Sequence, residues 1–139
     1  MSNISKLEKT FFQSFKPPKK LKLSDWADEN FYLSAESSSE AGRWRCLPYQ
    51  RGILDAITDN KVEQVILMKS ARVGYTKMIN IAIAYHIQSD SCPIMVVQPT
   101  IEDAAGYSKE EVAPMLRDVK CLQGLVSDPK AKDGSNTIL

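Results

Sequence analysis

"VILMKSARVGYTKMINIAIAYHI", residues 65–87, is the stretch on which the reading of this chain turns. A short apolar run, a polar loop with one glycine and a long apolar segment follow one another, which is the order of buried strand, loop and helix. The loop invites comparison with G-x-x-x-x-G-K-[ST], whose backbone N–H groups cradle phosphates at a helix N-terminus. Gly74 fills the second glycine position and Thr76 the hydroxyl position, but Lys69 stands where the first glycine belongs and Tyr75 where the lysine belongs. A phosphate site needs converging N–H groups, a glycine at the closest approach, a hydroxyl for Mg²⁺ and a cation for the terminal oxygens. The segment Lys69, Ser70, Ala71, Arg72, Val73, Gly74, Tyr75, Thr76 and Lys77 supplies all four, with Lys69 reaching across the loop and Lys77 as a second candidate cation. The competing reading is a strand, loop and helix that carry one glycine and several lysines by chance.

Working outward, "DWADENF" reads as a short helix capped by Ser24, with its acids in the first turn where the helix dipole favours them. "SAESSSEAGR" reads as a polar loop. "LPYQRGILDAITDN" places Pro48 near a helix start and Ile53, Leu54 and Ile57 on one face. "VEQVILMK" (62–69) and "CPIMVVQ" (92–98) are expected to be buried strands, and Thr76 to about Gln88 a helix buried on most sides. Thr100 opens a further helix, "TIEDAAGYSKEEV", which Pro114 restarts as "APMLRDV"; "GSNTIL" then begins another strand. Alternation of helix and strand predicts an α/β fold, a mostly parallel sheet with flanking helices and right-handed crossovers.

Composition bounds the function. The chain has 139 residues, 43% hydrophobic and 25% charged, which suits a single globular domain. No apolar run approaches the roughly 18 residues of a membrane span, and no secretory signal is evident, so the protein is expected in the cytosol with no membrane partner. Cys46, Cys92 and Cys121 are odd in number and widely spaced, which suits free thiols better than a disulfide framework or a four-ligand metal site. The net charge of +1 hides an asymmetry: residues 1–23 hold six lysines against Glu8, about +5, and the remainder is about −4. This arm reads either as a solvated leader or as a contact segment for DNA or a partner. Leu7, Phe11, Phe12 and Phe15 at helical spacing favour a partner over DNA.

Beyond these readings, "KSARVGYTK" resembles the deviant Walker A loop of the lambda-type phage terminase large subunits, in which the lysine is also displaced to the start of the loop. "DWADENFYL", "EAGRWRCLPYQRGILDAI" and "VVQPTIEDA" resemble the flanking segments of the same family, in the same order and at similar spacing. The resemblance implies a P-loop NTPase domain of RecA or helicase type over 24–139, preceded by the basic arm 1–23 as a docking segment. It implies ATP and Mg²⁺ as cofactors, with Lys69 on the phosphates, Gly74 as loop glycine and Thr76 on the metal. "LPYQ" resembles an adenine-reading element, in which the Gln50 amide would bond the base while Tyr49 stacks on it; the alternative is a helix-capping glutamine and a core tyrosine. Trp44 is more readily core than ligand. Thr100, in "QPT", is either part of a coupling motif or simply an N-cap. In this family the amino-terminal ATPase drives viral double-stranded DNA through the procapsid portal, a nuclease cuts the concatemer and a small subunit recognises the packaging site, all in the host cytoplasm.

Hydrolysis also needs an acidic pair at the end of a second strand. None is found: "CPIMVVQ" ends in Gln98, Glu102 and Asp103 lie at a helix start, and Glu110 and Glu111 follow no buried strand. His86 reads as a core or rim residue, and no carboxylate cluster suggests a nuclease. The expectation is an amino-terminal part of a terminase ATPase that holds a nucleotide without turning it over, truncated relative to the family. The alternative is a non-catalytic binding module or inert prophage remnant that docks a small terminase subunit.

Overall fold

Leu23, Trp26 and Ala27 recur at the three- and four-residue spacing that puts side chains on one helix face, and they form the first wall of the core. In the computed structural model, which describes residues 21–126, they belong to α1 (Leu23–Asn30). The other elements are β1 (Tyr32–Leu33), β2 (Gly42–Arg43), α2 (Pro48–Ile57), α3 (Tyr75–Gln88), α4 (Ile101–Tyr107), a π-turn (Ser108–Val112), α5 (Ala113–Asp118) and a 3₁₀ turn (Lys120–Leu122). The expected beginning of the arm and the strand "NTIL" lie outside the described residues.

The core is helical. Phe31 and Trp44 meet edge to face at 6.3 Å and close it on the side of the hairpin. Leu54 of α2, with Met78, Ile81, Ala84 and Tyr85 of α3, fills the centre, and Met115, Val119 and Leu122 cover the far side. Trp26 packs edge to face on Tyr85 at 5.6 Å and donates its indole N–H to Gln88 Oε1 at 2.6 Å, which fixes α1 along α3. Ser24 does not cap α1. The helix starts two residues earlier than its acids suggested, Ser24 is buried within it, and the Ser24 N–H donates to Asp55 Oδ1 of α2 at 3.1 Å. A carboxylate from a neighbouring helix thus does the capping that a local side chain usually does.

Two helix expectations are met closely: Pro48 is in the first turn of α2, and Thr100 caps α4 by accepting the Asp103 N–H at 3.1 Å. Pro114 likewise stands in the first turn of a helix, α5, as expected. The chain passes from α4 to α5 through the π-turn, where the Ala113 N–H reaches back to Ser108 C=O. Widening of the helix just before Pro114 accommodates a residue that lacks the N–H of an ordinary turn.

The parallel sheet is where sequence and structure part. Among the described residues the only sheet is the two-stranded antiparallel pair β1–β2, with Tyr32 opposite Arg43 and Leu33 opposite Gly42. Residues 62–70 and 91–98 form no ladder. A strand exists through hydrogen bonds to neighbours, and an apolar pattern alone supplies none. Both segments keep a two-residue alternation: Ile66 and Met68 are fully outward while Leu67 is half-buried, and Met95 and Val97 are more exposed than Ile94 and Val96.

Ile81, fully buried at the centre of α3, and Ile66, 80% exposed, test this division. Ile81→Ala should cost about 2–5 kcal/mol through lost burial and a residual cavity, whereas Ile66→Ala should stay within about 0.5 kcal/mol. Urea midpoints of the two variants measure it; equal losses would place Ile66 in a core that this fold does not give it.

Candidate functional site

The loop from Lys69 to Gly74 is shaped by two left-handed residues. Arg72 has φ +61° and Gly74 φ +80°, the second as N-cap of α3. A side chain at Gly74 would be strained by that φ, and its Cβ would come within 2.9 Å of Gln50 Nε2. The first helical bond of α3 runs from Met78 N–H to Gly74 C=O at 3.0 Å. The N–H groups of Tyr75, Thr76 and Lys77 therefore have no acceptor within the helix and, with the helix dipole, form the kind of terminus that receives anions.

Gln50 holds this loop in place. Its side chain is buried at 4% exposure, with Oε1 accepting the Leu47 N–H at 3.0 Å and Nε2 donating to Val73 C=O at 3.2 Å and to the Tyr49 hydroxyl at 3.3 Å. Tyr49 also donates to Val73 C=O, at 3.2 Å. The Gln50 amide is thus engaged at both ends: it caps α2 and fixes the loop carbonyl, the helix-capping alternative read from the sequence. Tyr49 is half-exposed rather than core, and its ring remains available at the rim. Trp44 is buried and donates its indole N–H to Cys46 Sγ at 3.0 Å, so it is core, though its ring edge passes close to Gly74.

Lys69 and Tyr75, the two departures from the usual motif, meet: the Lys69 ammonium lies 5.0 Å from the centroid of the Tyr75 ring, in cation–π range. The charge displaced to the start of the loop therefore returns to the residue that occupies the usual lysine position. Ser70, Ala71, Arg72 and Thr76 are exposed, Val73 half-buried. All but Ser70 and Ala71 line one open cleft of about 610 Å³, together with Tyr49, Gln50, Trp44 and the turn Ser37–Glu40.

Lys77 does not face the loop as a free cation. Its Nζ donates to Glu111 Oε2 at 2.5 Å and to Ser37 Oγ at 2.9 Å, while Asn80 Nδ2 donates to the same Glu111 oxygen at 2.9 Å. Glu111 went unrecognised in the sequence, because a contact spanning 34 residues leaves no local spacing to read. His86 sits half-buried in the last turn of α3, away from the cleft, with Nδ1 against Asp90 C=O at 3.0 Å. Among the described residues no helix is long and apolar enough to cross a membrane, and no cluster of three or more His, Cys, Asp or Glu could hold a metal.

A profile of the phage terminase large subunit gpA, ATPase domain, matches residues 38–139. The chain belongs to this terminase family. It is 39% identical over 114 residues to the terminase large subunit of Escherichia phage lambda, and 39% over 121 residues to that of Enterobacteria phage P21. These alignments take in 82% and 87% of this terminase chain but 18% and 19% of the relatives, so the chain spans less than a fifth of their length. No solved structure matches it significantly.

Beside the terminase loop, the Tyr107 hydroxyl donates to Asn80 Oδ1 at 2.6 Å. Burial, the Glu111 charge and Tyr75 push its phenol from 10.0 up to about 12. Below pH 10 both folded and unfolded chains keep this proton and its contribution is complete; from about 10 to 12 the unfolded chain ionises first and stability is lost. Tyr85, raised by burial, acts in the same direction. Tyr107→Phe should therefore flatten the decline of the urea midpoint across that range relative to the native chain. Parallel declines would show an ordinary phenol at Tyr107.

Proposed function

We propose that this chain contributes the nucleotide-binding loop of an ATP-driven DNA-packaging motor. The observation that carries this reading is the return of the Lys69 ammonium to Tyr75 at the open N-terminus of α3. A deviant motif would be inert if its displaced lysine pointed away; here the charge, the unbonded N–H groups and the Thr76 hydroxyl share one cleft. That donor set suits a polyphosphate. Thr76 would serve as the protein ligand to Mg²⁺, an ion commonly held by one or two side chains together with phosphate oxygens and water. Bound there, the metal would offset phosphate charge, while Arg72 to Thr76 orient the chain of phosphates and Lys69 bonds the terminal oxygens.

Tyr49 would contribute a stacking face for the base from the rim of the cleft. The assignment of adenine reading to Gln50 fares differently, since both Nε2 hydrogens are engaged and a base acceptor would have to displace Val73 C=O or the Tyr49 hydroxyl, although Oε1 keeps a lone pair beyond its bond from Leu47 N–H. We further infer that 62–69 and 92–98 are inner strands of the RecA-type parallel sheet, with neighbours supplied by residues outside those described. Their outward apolar alternation and the greater length of the relatives support this. The packaging of double-stranded DNA, a small subunit docked through the arm 1–23, the portal and the host cytoplasm as workplace extend from the same reading to the whole protein.

One charge-assisted bond to phosphate is worth about 1.5–3 kcal/mol, so Lys69→Ala should weaken ATP binding by roughly 10- to 100-fold. Titration calorimetry of the native and substituted chains with Mg²⁺ present measures it. Equal affinities would remove Lys69 from the site.

A further inference from the structure

Among the described residues Glu111 is the one acid that reaches the nucleotide cleft from outside the loop and its flanking turn, and nothing in the motif assigns it a duty. It sits in the π-turn, where the widened helix aims its carboxylate at the first two turns of α3. Oε2 is the fixed end of a short chain of bonds: it accepts from Asn80 Nδ2, and the fully buried Asn80 accepts in turn from the Tyr107 hydroxyl. Lys77 is the movable end. It follows Thr76 directly, its Nζ sits on a flexible four-carbon stem, and its side chain is only 14% exposed where it meets Glu111. The ammonium is thus held back from the loop by an anion and by Ser37 Oγ, yet both Lys77 and Glu111 line the same cleft as Lys69 and Thr76.

We propose that Glu111 is a positioning residue of the nucleotide cleft: it keeps Lys77 off the loop until a polyphosphate competes for the ammonium. This rests on the nucleotide reading above. When phosphate oxygens enter, they offer Lys77 a second set of anionic acceptors within the length of its stem, and the lysine exchanges one for the other. Glu111 then retains only its bond from Asn80. The tie between the first two turns of α3 and the carboxylate of Glu111 falls from two bonds to one, which loosens the π-turn from the loop as ligand binds. By reciprocity, whatever weakens the hold of Glu111 on Lys77 must strengthen polyphosphate binding. A carboxylate that only supported the fold would show no such gain.

Glu111→Gln keeps the shape and the bond from Asn80 while removing the charge. Two measurements on the 139-residue chain test it: the rate at which an amine-acylating reagent modifies Lys77, read by mass spectrometry without nucleotide, and the affinity for ATP with Mg²⁺ by calorimetry. Lys77 should be modified several-fold faster in Glu111→Gln than in the native chain. ATP should bind Glu111→Gln about three- to tenfold tighter, and the gain should vanish when Lys77→Met is added. Equal Lys77 reactivity in the native and Glu111→Gln chains would overturn the proposal whether or not nucleotide binds. A gain that persists in the Lys77→Met background would also overturn it, since removal of a repelling charge would then suffice. Faster acylation with no ATP binding by any of the chains would reject the nucleotide reading and the competition built on it, leaving only a structural ion pair.

Discussion

The Val73 carbonyl is the point on which the site depends. It lies just outside α3, where a backbone acceptor has no helical partner, on a half-buried residue whose carbonyl takes its bonds from side chains instead. Gln50 and Tyr49 both donate to it, while the other end of the Gln50 amide caps α2. One buried side chain therefore ties the start of α2 to the end of the loop, and the left-handed Gly74 fits beneath it because glycine has no Cβ. With the carbonyl so held, the loop turns into α3 with its leading N–H groups unbonded.

The same packing explains why a largely helical core persists beside apolar segments that form no ladder. α1, α2 and α3 bury one another through Trp26, Leu54, Ile81 and Tyr85, and none of those contacts calls on 62–70 or 91–98. Those two segments leave Ile66, Met68, Met95 and Val97 in solvent, an apolar surface that further chain would be favoured to cover. The cleft is carried by the starts of α2 and α3, the loop between them and the turn Ser37–Glu40, none of which belongs to a parallel sheet among the described residues.

Most of what is local in this arrangement was legible in the sequence. The strand-loop-helix rhythm placed α3 within one residue of its observed start, Pro48 and Thr100 marked the beginnings of α2 and α4, and the loop segment matched the family's ATPase-domain profile. What could not be read was nonlocal. Ser24 looked like a cap because serine before acids usually is one, but Asp55 took that task from another helix. Residues 62–69 and 92–98 are continuous apolar runs of the kind that buried strands have, without the partners that make strands. Lys77 looked like a free cation until Glu111, 34 residues on, proved to hold it. Gln50 resembled a base reader because its two-ended amide suits adenine, and for the same reason it suits a backbone N–H and a carbonyl.

Whether Gln50 holds the loop or reads the base is decided by comparing ligands with and without a base. The measurement is the affinity of the native and Gln50→Leu chains for ATP and for inorganic tripolyphosphate, each with Mg²⁺, under conditions where circular dichroism shows both chains equally folded. A loop held by Gln50 predicts that the substitution weakens both ligands by the same factor, because the cradle itself is lost. A loss confined to ATP, with tripolyphosphate binding unchanged, would contradict this account and return Gln50 to the base.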